Sequence, residues 1–231
     1  MDNASTDGSA LEAAQHMERL QLIQYASNLG FARANNMGIQ AAHTPYVLLL
    51  NNDTVLHPEA LRTLTRYLQN HPDAAACGPR LVNADGSVQP FTYGRDPDIG
   101  HLVVRGFLAL VGRSIHDWQV STALDVDWVA GTAMLVRKAA IDAVGPLDEG
   151  FFMYFEDVEW CRRFRAGGWR VAYVPEAEVL HLNRRSYRDR ERQQHYYRSL
   201  RRYYTLHYGL LSRLLLRLLV LPYTALRRRR G

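Results

Sequence analysis

The chain has 231 residues, 47% of them apolar, and a formal net charge of +5. This is enough for one large domain, or a domain with an appendage, around a full core, and it excludes a globally disordered chain. Two cysteines, Cys77 and Cys161, make neither a disulfide framework nor a metal-ligand spacing, and the polar, acidic start carries no apolar leader. A disulfide-stapled scaffold is therefore excluded, and a reducing, cytoplasmic setting is expected.

Residues 1–9 are dense in loop formers and caps, and Asp7 or Ser9 can cap a helix over roughly Ala10 to Leu22. Ile23 to Tyr25 reads as a short strand, residues 28–32 as a turn, and Ala32 to Ala42 as a helix. Asn35 and Asn36 lie near the start of that helix. Their amides cost a few tenths of a kcal/mol each there, so they either face a ligand or sit on an exposed face.

Tyr46 to Leu50 is a run with no polar face, as in a parallel-sheet strand covered by helices on both sides. It stops at Asn51, Asn52 and Asp53. The carboxyl end of a strand is where open α/β sheets bind ligands, and Asp53 offers a hard oxygen for Mg²⁺ or Mn²⁺. The competing reading is a polar turn. Pro58 then opens a helix with the stripe Leu61, Leu64 and Leu68.

Ala74 to Gly78 reads as a strand and residues 81–89 as a hairpin around Asp85-Gly86. Thr92 to Val120 has scattered Gly, Pro and His with weak periodicity and reads as a variable or mobile region suited to substrate selection. Val126 to Val136 is β-rich and broken at Gly131, where a bulge or close ligand approach is expected. A helix over Arg137 to Val144 ends at Gly145-Pro146. An aromatic run leads to Glu156-Asp157 and a helix to Ala166. For those two carboxylates the alternative to a catalytic role is simple capping of the helix dipole. Trp169 to Val174, ended by Pro175, and Glu178 to Leu182, carrying His181, read as two strands.

From Arg184 onward there are 14 arginines and two acids, a net +12, whereas the preceding body carries −7. The tail reads as helix. Its apolar stretch from Leu210 to Leu221 contains Arg213 and Arg217, which share one helix face and count against a spanning segment. The two readings are a helix lying on an anionic membrane surface, reinforced by residues 227–230, and a helix packed on the body with a solvated basic face. Nucleic-acid binding is disfavoured by the acidic body and the lack of any recognition module.

Four segments together resemble family-2 glycosyltransferases of the GT-A fold, in particular the bacterial rhamnosyltransferase-like branch. They are Asp2-Asn3-Ala4-Ser5-Thr6-Asp7-Gly8-Ser9, Gly30 to Gly38, Leu50-Asn51-Asn52-Asp53-Thr54, and a last series. That series runs from Trp128 through Gly131, Gly145 to Glu149, Tyr154-Phe155-Glu156-Asp157 and Cys161 to Trp169 and His181. Their order and spacing over about the first 185 residues make the resemblance specific; no motif covers the tail.

The resemblance implies an α/β fold, a mixed and mostly parallel sheet flanked by helices over residues 1–183, with a basic helical tail over 184–231. It implies a metal-dependent, inverting transfer of a sugar, possibly rhamnose from dTDP, to a glycan or lipid-linked acceptor in cell-envelope polysaccharide synthesis. The setting implied is peripheral, on the inner face of the cytoplasmic membrane. Asp2 would bond the base or ribose of the nucleotide-sugar, with Asn3, Asn35, Asn36, Asn51, Trp128 and Gly131 in the substrate-binding set. Asp53 would be the metal-binding carboxylate of an Asp-x-Asp-type motif whose first position is Asn51 here. Asp157 would be the general base with Glu156 beside it, and His181 would approach the metal or diphosphate, unless it is a structural strand-end histidine. Such enzymes usually begin with a strand and helix ahead of the Asp-Asn-x-Ser segment. A fragment, or a start assigned too far downstream at Met1, is therefore expected, with an unfilled sheet position and two exposed edges. An inactive nucleotide-sugar-binding protein is the alternative.

Overall fold

Alternation of side chains along two strands divides the interior into two layers. The computed structural model describes residues 1–17, 19–115, 117–183 and 189–228. Strand β1 (Tyr46–Leu50), β2 (Thr54–Leu56), β3 (Ala74–Val82), β5 (Leu124–Asp125), β7 (Ala133–Arg137) and β8 (Arg170–His181) form one mixed sheet in the order β1-β7-β3-β8-β2, with β5 also on β8. A separate two-stranded sheet pairs β4 (Tyr93–Gly94) with β6 (Trp128–Val129). The longest ladder, β3 with β8, is parallel; β1–β7, β7–β3, β8–β2 and β8–β5 are antiparallel.

Met134 and Val136 of β7, with Val171 and Tyr173 of β8, face one way. There they meet α2 (Phe31–Ala41), α5 (Lys138–Val144) and α6 (Glu156–Ala166) through Ile39, Ile141 and Trp160. Ala133, Leu135, Ala172 and Val174 face the other way, against Leu64 and Leu68 of α3 (Pro58–Asn70). The period of two makes this division automatic. It is also why these strands read as continuous apolar runs: both faces are covered.

Several expectations hold to the residue. β1 spans Tyr46–Leu50, and Pro58 is the first residue of α3, whose cap His57 accepts from the Glu59 N–H. α5 ends at Gly145, at φ 85°, followed by Pro146. The hairpin around Gly86 is present as a single bridge, Val82 to Val88.

Other expectations are corrected. β1 does not sit inside a parallel sheet; among the described residues its one ladder partner is antiparallel β7, and it lies at the sheet edge. Thr54–Leu56 forms a strand where none was read, paired with the end of β8. Pro175 does not end a strand. β8 continues past it, and the register against β3 jumps from Pro79↔Val174 to Arg80↔Glu178, so the residues between bulge out and the proline owes the ladder no N–H. α1 (Ser9–His16) stops short of Leu22, and the segment after it contributes one parallel bridge, Asp2 to Gln24, rather than a strand. Within Thr92 to Val120 lies a full helix, α4 (Ile99–Leu110), capped by the Asp98 carboxylate on the His101 N–H.

The tail forms two helices, α7 (Asp189–His207) and α8 (Leu210–Arg228), broken at Tyr208-Gly209. They pack on the body: Leu200, Tyr203, Tyr204, Leu216 and Val220 bury against Phe151, Phe155 and Val158. The Asp96 carboxylate ties this layer down, accepting from Arg162 (2.5 Å), Tyr203 (2.9 Å) and Tyr208 (2.6 Å). Arg184 at the expected domain boundary, and Arg229 and Arg230, lie outside the described residues.

Candidate active site

β1 and β8 run in the same direction and β7 runs against them. The carboxyl ends of β1 and β8 and the start of β7 therefore share one end of the sheet. Asn51 to Asp53 follow β1, His181 closes β8, and Gly131 and Thr132 precede β7. The Asn51 N–H donates to the Thr132 carbonyl at 2.8 Å, extending the β1–β7 ladder to the site itself. The Asn51 carbonyl accepts from the Thr54 hydroxyl at 2.6 Å, which closes the tight turn that presents Asp53. The polar-turn reading and the ligand-site reading are thus not exclusive: the turn aims the carboxylate.

Asp53 and His181 face one another, with Nε2 to Oδ1 at 3.3 Å and both side chains mostly buried. Gln89, itself buried, orients the ring. Its Nε2 donates to Asn83 Oδ1 (2.7 Å) and to the His181 carbonyl (2.8 Å), which leaves Oε1 facing His181 Nδ1 at 2.8 Å. Nδ1 therefore carries the proton, and in the neutral ring the lone pair is on Nε2, toward Asp53. A carboxylate oxygen and an imidazole lone pair at this separation repel unless a proton or a cation accompanies them. Such outer-shell fixing of a histidine tautomer is characteristic of metal ligands. Among the described residues no cluster of three or more His, Cys, Asp or Glu could cage a metal ion. The pair fits a divalent cation that completes its shell with ligand oxygens, as Mg²⁺ and Mn²⁺ do on phosphates.

The second acidic centre is the start of α6. Tyr154 and Phe155, both aromatic, adopt left-handed backbone at φ 69° and 68°. That conformation costs on the order of 1–3 kcal/mol per residue and persists only where the surroundings impose it. It turns the chain so that Glu156 and Asp157 diverge. Asp157 Oδ2 accepts the Gly131 N–H at 2.9 Å, and Oδ1 accepts the Val158 N–H at 2.8 Å. Glu156 is 6% exposed, and its Oε2 is buried with no hydrogen-bond partner. Burial, and then the Asp157 charge, pushes the Glu156 carboxyl well above the usual carboxylate range. Burial also raises Asp157, opposed by the amides of Gly131 and Val158. Of the two, Glu156 therefore holds its proton more tightly, and Asp157, with two amide donors, is the one that ionises more readily.

Gly131 sits where space is tight: a Cβ there would lie 3.1 Å from the Phe31 ring and 3.6 Å from the Asp157 Cβ. Gly30, at φ 82°, is forced, since a Cβ would lie 2.6 Å from the Phe152 carbonyl, which accepts the Phe31 N–H at 2.8 Å. These contacts join the amino-terminal loops to the base. Asn3 donates to Asn28 Oδ1 (2.9 Å) and the Gly30 carbonyl (3.2 Å) and accepts the Leu29 N–H. Asp2 is buried, accepting from Ser5 N–H at 2.9 Å and Gln24 at 3.1 Å, and these partners, Ser5 foremost, hold its carboxyl below the usual range.

Three other predicted binding residues also make hydrogen bonds within the protein. Asn36 clamps the loop before α6, donating to the Leu147 carbonyl (2.9 Å) and Glu149 (3.1 Å) and accepting the Leu147 N–H. Asn35 donates back to the Phe31 carbonyl one turn earlier, at 2.9 Å. The Trp128 indole donates to the Arg95 carbonyl at 2.9 Å and lies against Gly94. Sequence reading missed Gln89, Phe31 and Phe152. Gln89 carried no signal, because only the β8 register brings it to His181. The signal for Phe31 and Phe152 was Gly30, whose close contact names them.

The sequence pattern described as "Glycosyltransferase like family 2" matches residues 2–204. The chain belongs to this family. It is 32% identical over 201 residues to N-acetylglucosaminyl-diphospho-decaprenol L-rhamnosyltransferase of Mycobacterium tuberculosis, covering 78% of this chain and 64% of that protein. It is 27% identical over 177 residues to rhamnosyltransferase WbbL of Escherichia coli, covering 74% and 67%. These relatives put it in the rhamnosyltransferase-like branch. Among solved structures, a mannosyltransferase from Pyrobaculum calidifontis in complex with GDP-Man and Mn²⁺ superposes with a TM-score of 0.56 at 17% identity, over 88% of this chain and 52% of that one. That likeness shows the GT-A-type fold. The family match runs about twenty residues past Arg184, so the motif-free tail begins within the family domain.

Proposed function

We propose that this family-2 glycosyltransferase moves a sugar from a nucleoside-diphosphate donor to a hydroxyl of a glycan or lipid-linked acceptor, with inversion and in a metal-dependent way, in cell-envelope polysaccharide synthesis. The observation that carries the reading is the division of labour at one sheet end: a cation-ready pair, Asp53 and His181, and a separate carboxylate, Asp157, held by the Gly131 and Val158 amides. dTDP-rhamnose is the first donor to test, given two rhamnosyltransferase relatives and a third named dTDP-rhamnosyl transferase RfbF, of Shigella flexneri. A lipid-diphosphate-linked acceptor is suggested by the mycobacterial one.

Asp53 and His181 would hold a divalent cation, Mg²⁺ or Mn²⁺, which when bound supplies positive charge against the leaving diphosphate. Asp2 and Asn3 would shape the nucleotide side through the 28–30 loop. Asn51, and Gly131 with its flanking turn, would leave room for the sugar between the two acidic centres. Asp157, ionised while Glu156 stays neutral, would take the proton of the acceptor hydroxyl as it attacks. Attack from the face opposite the diphosphate inverts the anomeric carbon. Glu156 keeps a second negative charge out of the base position.

The net positive tail from residue 184 supports a location at an anionic membrane face, the inner face of the cytoplasmic membrane. Among the described residues no helix is long and apolar enough to cross a membrane.

The test is transfer from dTDP-rhamnose to an N-acetylglucosaminyl-diphospho-lipid with Mn²⁺, the product's anomeric configuration being read by NMR. Inverted product formed only with metal is expected. Metal-independent turnover, or retention, would overturn the mechanism.

A further inference from the structure

α4 is an anomaly for a helix in water. It has twelve residues, and none is buried. Ile99 and Leu102 pack against the core beneath it. Val103, Val104, Phe107, Leu110 and Val111 are exposed, Phe107 by 64% and Leu110 by 84%. A short helix draws its stability from packing one apolar face, and a monomer seldom exposes so contiguous an apolar patch without a partner for it.

α8 lies in contact with α4 and extends the patch. Leu216 and Val220 turn inward, while Leu211 (72% exposed), Leu214 (45%) and Leu218 (64%) turn out. Arg213, which the sequence places on one helix face with Arg217, is turned back to cap α7. It donates to the carbonyls of Tyr204, Thr205 and Tyr208. The outward face of α8 is therefore leucine-rich.

Charge identifies what covers the patch. Residues 99–116 and 210–228 contain no acid, and Arg113 and Arg217 are exposed at its margins. With arginines at its margins and no acid along either helix, this face is matched in charge to an anionic surface. A second copy would bring arginine to arginine across the same face; an anionic bilayer offers acyl chains to the leucines and phosphates to the arginines.

We propose that α4 and the outward face of α8 form one docking surface for an anionic bilayer, with α4 as the element that enters the lipid interface. This goes beyond the tail-only membrane contact above and rests on the proposed function only for its consequence at the acceptor. The root of α4 is fastened to the site: the Asp96 N–H donates to Asp127 (2.7 Å), and Trp128 donates to the Arg95 carbonyl, three residues before Gly131 and the base. Docking through α4 sets the base side of the site at the lipid interface, where a lipid-linked acceptor presents its hydroxyl.

The test is co-sedimentation of the full chain with phosphatidylglycerol–phosphatidylcholine vesicles and with phosphatidylcholine alone, beside analytical ultracentrifugation. The wild type is expected to bind the anionic vesicles more tightly than the neutral ones. The pair Phe107→Glu and Leu110→Glu, and separately Leu218→Glu, are expected to weaken binding by about tenfold or more at unchanged circular dichroism, since each removes an inserted apolar side chain. Phe107→Gln, which adds no charge, should move the same way. Vesicle binding unchanged by the α4 substitutions would overturn the role of α4. A wild-type dimer dissociated by them, with no vesicle binding, would put a second copy on this face instead. Mn²⁺-dependent nucleoside-diphosphate binding, followed in the same samples, reports on the glycosyltransferase reading independently.

Discussion

Asp53 and Asp157 stand at the same end of one sheet, yet their surroundings differ. Asp53 faces an imidazole whose tautomer is fixed by a chain of polar groups through Gln89 to Asn83. Asp157 stands beside a buried glutamic acid whose carboxyl burial pushes well above the usual range, with two backbone amides for partners. The first setting keeps a negative charge ready for a cation. The second raises a carboxylate's proton affinity while leaving it the group that ionises, which is what a general base needs. The lesson is that two aspartates of the same intrinsic chemistry are given separate tasks by what lies next to them.

The largest effect that would sharpen this contrast is on turnover. Asp157→Asn should lower kcat by about 10²–10⁴-fold, the usual contribution of a positioned base, with donor binding unchanged. Steady-state kinetics beside donor titration would show the split; a fall in donor affinity with kcat preserved would break it. Next, Gln89→Leu should weaken metal-dependent nucleotide binding by about 10–100-fold, as loss of an outer-shell partner does, and calorimetry with Mn²⁺ reads this directly. Gly131→Ala puts a methyl against the Phe31 ring and should cost about 1–3 kcal/mol of stability, measurable by urea unfolding.

Glu156→Gln should change turnover least, because the neutral amide imitates the protonated acid. Its signature is the pH dependence of stability. A carboxyl whose folded pKa lies above its unfolded one binds its proton more tightly when folded. Its contribution is therefore favourable at low pH and is lost as pH rises above the ordinary carboxylate range. Glu156→Gln should make the melting temperature fall less over that rise. A steeper fall would contradict the burial of Glu156 as the neutral acid.

Much of this was legible in the sequence where local chemistry decides. The apolar run Tyr46–Leu50 with its abrupt polar end, Pro58 at a helix start, Gly145-Pro146 at a helix stop and Glu156-Asp157 at a helix N-terminus each follow from residue type and position. What was not legible depends on partners distant in the chain. Asn36 reads as an unfavourable amide in a helix, and nothing nearby reveals that it holds Leu147, 111 residues away. Pro175 reads as a strand end because the bulge that accommodates it belongs to the β3 register. α4 was read as part of a variable or mobile region because scattered Gly, Pro and His, with Gly100, His101 and Gly106 inside the helix, weaken its periodicity.

The most direct test of the central division is a titration of UDP, dTDP and GDP into the wild type, Asp53→Asn and Asp157→Asn, with and without Mn²⁺. The account predicts that one nucleotide binds the wild type only with Mn²⁺, that Asp53→Asn abolishes this, and that Asp157→Asn retains it. Metal-independent binding in the wild type, or equal binding by the Asp53→Asn protein, would contradict it.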